Sequence, residues 1–137
     1  MRSRSGMTLI ELVVVMVVVG ILAVYAGAKW QGDLTLYTKA DQLLNDIRRA
    51  QALAMSKEAG YTIQTVAVDS YRIVDATGTV VDPQPTVLTD VTITPFAITF
   101  NTRGDPGGAS VDITLTMAGQ SVIDRVVGNT GAALRLP

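Results

Sequence analysis

From Met7 to Ala28 the chain is an almost unbroken apolar run in which only Glu11 carries a charge. At about 1.5 Å per residue, Leu12–Ala28 makes roughly 25 Å of helix and Met7–Ala28 roughly 33 Å, enough to cross a bilayer. The pattern then changes to three- and four-residue steps: Tyr37, Ala40, Leu44, Ile47, Ala50 and Ala54, with Leu43 and Leu53 widening the stripe. That is the apolar face of an amphipathic helix, with Lys39, Asp41, Asp46, Arg48, Arg49 and Lys57 on the solvated side. Gly60 is the expected stop. A single helix from about residue 8 to 59 would be roughly 75 Å long, which suits a chain whose first half is an anchor. Lys29 and Trp30 suit the membrane interface, and Gly20 and Gly27 are the expected soft points of a helix that no Pro interrupts.

Beyond Gly60 the period falls to two. Tyr61–Val68 and Tyr71–Asp75 flank Asp69-Ser70 as a hairpin, and Thr77-Gly78 marks another turn. Asp82-Pro83-Gln84-Pro85 breaks the next strand. Short strands are expected at Val91–Thr94 and Ala97–Phe100. After the loop 101–108 follow Val111–Met117, a turn at Ala118-Gly119, Ser121–Val127, a turn at Asn129-Thr130-Gly131 and a final strand Ala132–Leu136. Thr, Val and Ile dominate these segments, as sheets prefer. The expected fold class is α+β: a long N-terminal helix, membrane-spanning in its first half, packed on a C-terminal antiparallel β-sheet domain. The expected parts are a leader 1–6, an apolar helix 7–28, an amphipathic half 29–60 and a β domain 61–137.

Composition narrows the chemistry. The chain has 137 residues, 48% hydrophobic, with no Cys and no His. Thiolate metal sites and disulfides are therefore excluded, and so is the commonest general base. Neither a cofactor nor a catalytic or metal site is expected, and the chain does not read as an enzyme. The formal charge is −1; without Arg2 and Arg4 it is 9 basic against 12 acidic residues, or −3. Such a balance gives no electrostatic footprint for nucleic acid. Arg103-Gly104-Asp105 spells an adhesion tripeptide, but Pro106 follows and a hairpin loop accounts for it. Asp105 and Asp112 lack the spacing of a cation loop.

Three readings compete for the N-terminus. A cleaved secretory signal would use Arg2 and Arg4 as its basic start and Ala26-Gly27-Ala28 as its cleavage pattern. An ordinary anchor would keep the same arginines in the cytoplasm. The third gives Glu11 a purpose. Thr8-Leu9-Ile10-Glu11 fits a capping box, and an acid suits the positive end of the helix dipole. Yet a carboxylate in hydrocarbon costs about 2.5–3.5 kcal/mol or more, and a Gln would cap at less desolvation. Capping explains the position but not the charge.

Gly6-Met7-Thr8-Leu9-Ile10-Glu11-Leu12, after a short basic leader and before a Val-rich helix, resembles the class III signal of type IV pilins and type II secretion pseudopilins. The resemblance implies cleavage by a prepilin peptidase between Gly6 and Met7 on the cytoplasmic side, then N-methylation of Met7. It also implies that the Glu11 carboxylate pairs with the Met7 amine of a neighbouring subunit, so that burial of the acid favours correctly staggered assembly. Family members most often carry Phe where this chain has Met7. The implied partners are other pilin or pseudopilin subunits, the peptidase/methyltransferase and the bacterial inner membrane. The N-terminus would be cytoplasmic and the β domain periplasmic before the chain joins a filament.

Ile98-Thr99-Phe100 before a Gly/Pro loop, two alternating strands and a Val-x-Gly-Asn-Thr-Gly turn are similar to the GspH/FimT group of minor pilins and pseudopilins. Arg48-x-Ala50-x-x-x-Ala54 resembles a stretch of their helices. Some FimT-type minor pilins bind DNA through basic residues near the C-terminus, for which Arg103, Arg125 and Arg135 are the candidates here. The Gly-Arg-x-Arg ending of that activity is absent, Asp124 stands beside Arg125, and a net acidic body weakens counterion-release binding. The resulting expectation is a minor structural subunit of a type IV pilus, a mannose-sensitive haemagglutinin-type pilus or a type II secretion pseudopilus. The alternative is an exported or singly anchored β-domain binding protein.

Overall fold

The computed structural model describes residues 8–137, without the side chains of residues 27–33. The leader, Gly6, Met7 and the interface side chains of Lys29 and Trp30 therefore lie outside the described residues. One helix, α1 (Leu9–Ser56), precedes eight strands. The chain forms two compact units, Met1–Asp33 and Leu34–Pro137.

In the first unit the helix is continuous through Gly20, and its side chains from Leu9 to Ala26 are exposed. Leu9–Ala26 is long and apolar enough to cross a membrane. With Glu11 the only charged side chain in it, such a surface is suited to lipid or to other apolar helices.

In the second unit α1 supplies Leu36, Ala40, Leu43, Leu44, Ile47, Ala50 and Ala54 to one continuous core. The small residues Ala40, Ala50 and Ala54 are fully buried and let the sheets approach the helix closely. The stripe begins at Leu36, 1% exposed, and not at Tyr37, which is 49% exposed. The helix also ends earlier than Gly60. Glu58 adopts φ 49, and the Ala59 amide bonds the Ala54 carbonyl at 3.3 Å, a Schellman-type stop made without glycine.

The strands are β1 (Tyr61–Ala67), β2 (Ser70–Asp75), β3 (Thr86–Val87), β4 (Thr92–Ile93), β5 (Ala97–Phe100), β6 (Val111–Met117), β7 (Gln120–Val126) and β8 (Ala133–Arg135). They form two four-stranded sheets, ordered β3-β2-β1-β5 and β4-β6-β7-β8, and the strand pairs are antiparallel. Inward positions follow the two-residue period: Ile63, Tyr71, Ile73, Ile98 and Phe100 from the first sheet, and Ile113, Leu115, Val122, Val126 and Ala133 from the second. The sheets meet where the Ile93 amide bonds the Val68 carbonyl at 2.6 Å. Between β6 and β7, Ala118 and Gly119 both have positive φ (51 and 81), the tight hairpin turn that matches strand twist.

Candidate functional site

The N-terminal candidate site begins at the cap of α1. The Glu11 amide bonds the Thr8 carbonyl at 3.1 Å and the Thr8 hydroxyl oxygen at 3.4 Å, and the Leu12 amide bonds the Thr8 carbonyl at 3.2 Å. Thr8 thus satisfies donors of the first turn, as a capping residue should. The Glu11 side chain is exposed and makes no ion pair among the described residues. A single carboxylate therefore stands at the start of an exposed apolar helix, a position that becomes costly in hydrocarbon unless a cation meets it. Gly6 and Met7, the expected cleavage and methylation positions, lie outside the described residues.

The three arginines considered for nucleic acid do not form a patch of free cations. Arg125 and Asp112 are directly opposed across β6 and β7 and pair through two hydrogen bonds of 2.6 and 2.7 Å. Arg125 holds the Asp112 carboxyl below the ordinary carboxylate range. Arg135 opposes Asp124 across β7 and β8, donates to its Oδ1 at 3.1 Å and lies 5.4 Å above the Tyr37 ring. Its Nη2 also stands 2.9 Å from Oδ1 of Asp41, though not aligned for a hydrogen bond. Arg103 alone of the three lacks an ion pair among the described residues; it is exposed on the loop after β5. In the same loop Gly104 is buried and Asp105, half-buried, accepts from Asn101 Nδ2 at 2.8 Å, so of the Arg-Gly-Asp tripeptide only Arg103 is exposed.

Helix α1 is tied to both ends of the second half of the β domain. Gln51 Nε2 donates to the Gly104 carbonyl at 2.7 Å and to the Thr130 carbonyl at 3.1 Å. Arg48, from the Arg-x-Ala stretch, donates to the Ala133 carbonyl at 3.1 Å. Gly128 backs directly onto the Gly108 carbonyl and Gly131 onto that of Gly104, so the two loops interlock backbone to backbone. On the first sheet, the Tyr71 hydroxyl donates to Asp46 at 2.7 Å, and Arg49 and Asp82 pair through two bonds of 2.8 and 3.0 Å. Burial and the Asp46 acceptor push the Tyr71 phenol above its usual pKa.

Sequence reasoning missed Gln51 and the inward placement of Asp124. The signal for Asp124 was present: the two-residue period of Val122, Asp124 and Val126 puts a carboxylate on the core face. Nothing local marks Gln51, whose partners lie 53 and 79 residues away. Among the described residues, no group of three or more acids is arranged to hold a metal ion.

With this geometry in place, comparison with known proteins adds two findings. A prokaryotic N-terminal methylation motif matches residues 1–27. The fold matches crystal structures of the Pseudomonas aeruginosa type IV minor pilin FimU in two crystal forms. For one the TM-score is 0.61 at 17% identity, covering 74% of this chain and 88% of that one. For the other it is 0.60 at 18% identity, covering 74% and 93%. No curated protein sequence matches the chain closely enough to name a relative. The chain thus carries the methylation motif on a pilin fold.

Proposed function

We propose that this chain is a type IV pilin-type structural subunit of the minor class. One observation carries the reading: the methylation motif of residues 1–27 runs directly into a helix that continues into a pilin-fold β domain. A motif of this kind could sit on many anchors, and a helix–sheet domain of this kind could be secreted. Their union in one chain favours an assembly role for the N-terminus over a plain anchor or an export signal.

In this reading the prepilin peptidase cleaves after Gly6 on the cytoplasmic face of the inner membrane, and Met7 becomes the methylated N-terminus. The apolar helix then exchanges lipid for neighbouring helices of other pilin-type subunits. Glu11 meets the Met7 amine of such a neighbour, an ion pair that hydrocarbon strengthens and that only the right stagger forms. The β domain lies on the periplasmic side before assembly. Of the systems that share this design, a type IV pilus is favoured slightly over a type II secretion pseudopilus. DNA binding is not part of the proposal, since Arg125 and Arg135 are engaged with carboxylates of their own chain.

Mass spectrometry of the mature N-terminus tests the proposal. It should begin with Met7 carrying one added methyl group. A chain that begins at Lys29 would point to ordinary signal cleavage, and an intact Met1 to an unprocessed anchor; either would overturn the reading.

A further inference from the structure

We propose that Asp124 makes the docking of the C-terminal strand β8 depend on pH, tighter in mild acid and looser towards neutrality. Asp124 is 0% exposed at the centre of β7, where the two-residue period points it into the core with Val122 and Val126. Each element packed against it presents a defined group. From β6 the directly opposed residue is Ile113, which is apolar. From β8 it is Arg135, whose Nε bonds Oδ1 at 3.1 Å. From α1, Asp41 and Arg48 are the charged groups within electrostatic range. Oδ2 of Asp124 and Nη2 of Arg135 are both buried without a hydrogen bond.

The arrangement is unfavourable to a charged Asp124. Two carboxylates, Asp124 and Asp41, share the Arg135 guanidinium. Arg48 is directed instead to the Ala133 carbonyl and to Asn45. A carboxylate taken from water with one oxygen left unsatisfied is penalised more than one weakly shared ion pair restores. Burial accordingly raises the Asp124 pKa despite Arg135. When β8 lifts away, water reaches the carboxyl and its pKa returns to the ordinary value of about 3.9.

The sign follows from linkage. The docked state binds the proton more tightly than the open state, so protonation favours docking. The contribution is complete below the ordinary pKa and is lost as pH rises through the raised one. Each pKa unit between the two states changes the docking equilibrium about tenfold. What remains at neutral pH is the β7–β8 ladder, the Arg48 bond and the Arg135–Asp41 pair.

The test is amide hydrogen exchange on the full chain in detergent micelles, with rates divided by intrinsic rates at each pH. Probes are the Val127 amide, bonded to the Ala132 carbonyl, and the Leu136 amide, bonded to the Ile123 carbonyl. The reference is Ile63 in β1. Protection at the two probes should rise as pH falls from 8 towards the ordinary carboxylate range while Ile63 stays level, and Asp124→Asn should remove that rise. Level or falling protection towards acid, or an undiminished rise in Asp124→Asn, overturns the proposal. If that variant does not fold, the carboxyl carbon-13 shift of Asp124 in the unaltered chain decides. A midpoint above the ordinary carboxylate range, coincident with the protection step, supports the proposal, and one within or below that range overturns it. Asp41→Asn should move the midpoint down, because it removes a like charge and leaves Arg135 wholly to Asp124. An unmoved midpoint would count against the shared guanidinium and overturn the proposal as well.

Discussion

At Gly131 the backbone has φ 69, and a Cβ there would collide with the Gly104 carbonyl and come within 2.6 Å of Gln51 Nε2. Gly131→Ala combines left-handed strain with overpacking and should cost about 2–4 kcal/mol. For a domain of this size that corresponds to a fall in Tm of roughly 10–20 °C by calorimetry. An unchanged Tm would mean that the interlocked loops contribute nothing. Glu11 calls for a different measurement, because the role proposed for it lies between chains. Glu11→Gln keeps the Thr8 cap and eases membrane insertion, but replaces a charge-assisted bond by one about half as strong. The variant should be cleaved normally yet recovered poorly in sheared filaments or in crosslinks to other subunits. Wild-type incorporation would leave capping as the sufficient account of Glu11. Residues of this kind were unequally legible in the sequence. The class III string around Glu11 stands out because a charge interrupts an apolar run. Asp124, by contrast, looks like a surface neighbour of Arg125 until strand alternation assigns the two to opposite faces.

Helix α1 is held by its stripe far more than by its surface charges. Ile47, fully buried in the core, should cost about 2–5 kcal/mol when changed to Ala. Arg49→Ala removes a two-bond pair with Asp82, but both side chains are more than 40% exposed and solvent screens them. The loss should stay under about 1 kcal/mol. Parallel denaturation of the two variants checks the ranking, and equal losses would contradict the core described here. Elements were legible where their period was long. The stripe from Ala40 to Ala54 follows from spacing alone, but its start does not: Leu36 and Tyr37 are equally apolar by count. Only the place of Arg135 above the Tyr37 ring shows why Tyr37 faces outwards. Strand β3 has two residues and follows Pro83 and Pro85, so no local pattern could reveal it. The division of the strands into two sheets depends on pairings such as β1 with β5, between which three other strands intervene in sequence.

For the whole molecule, the core of the second unit, among the described residues, runs from Leu36 to Ala133 and includes no residue of the apolar run. A fragment Leu34–Pro137 should therefore be soluble, show mixed helix and sheet by circular dichroism, and unfold cooperatively. A disordered or persistently aggregated fragment would contradict this. The same core has a consequence in time. The stripe on α1 is complete at Ala54, yet the last residue that covers it, Ala133, comes 79 positions later (133 − 54). At about 5–20 residues per second of synthesis, the bare helix face waits on the order of 4–16 s for its final cover. A chain stopped at Gly131, before β8, never leaves that interval, and pulse-chase labelling should show it degraded much faster than the full-length chain.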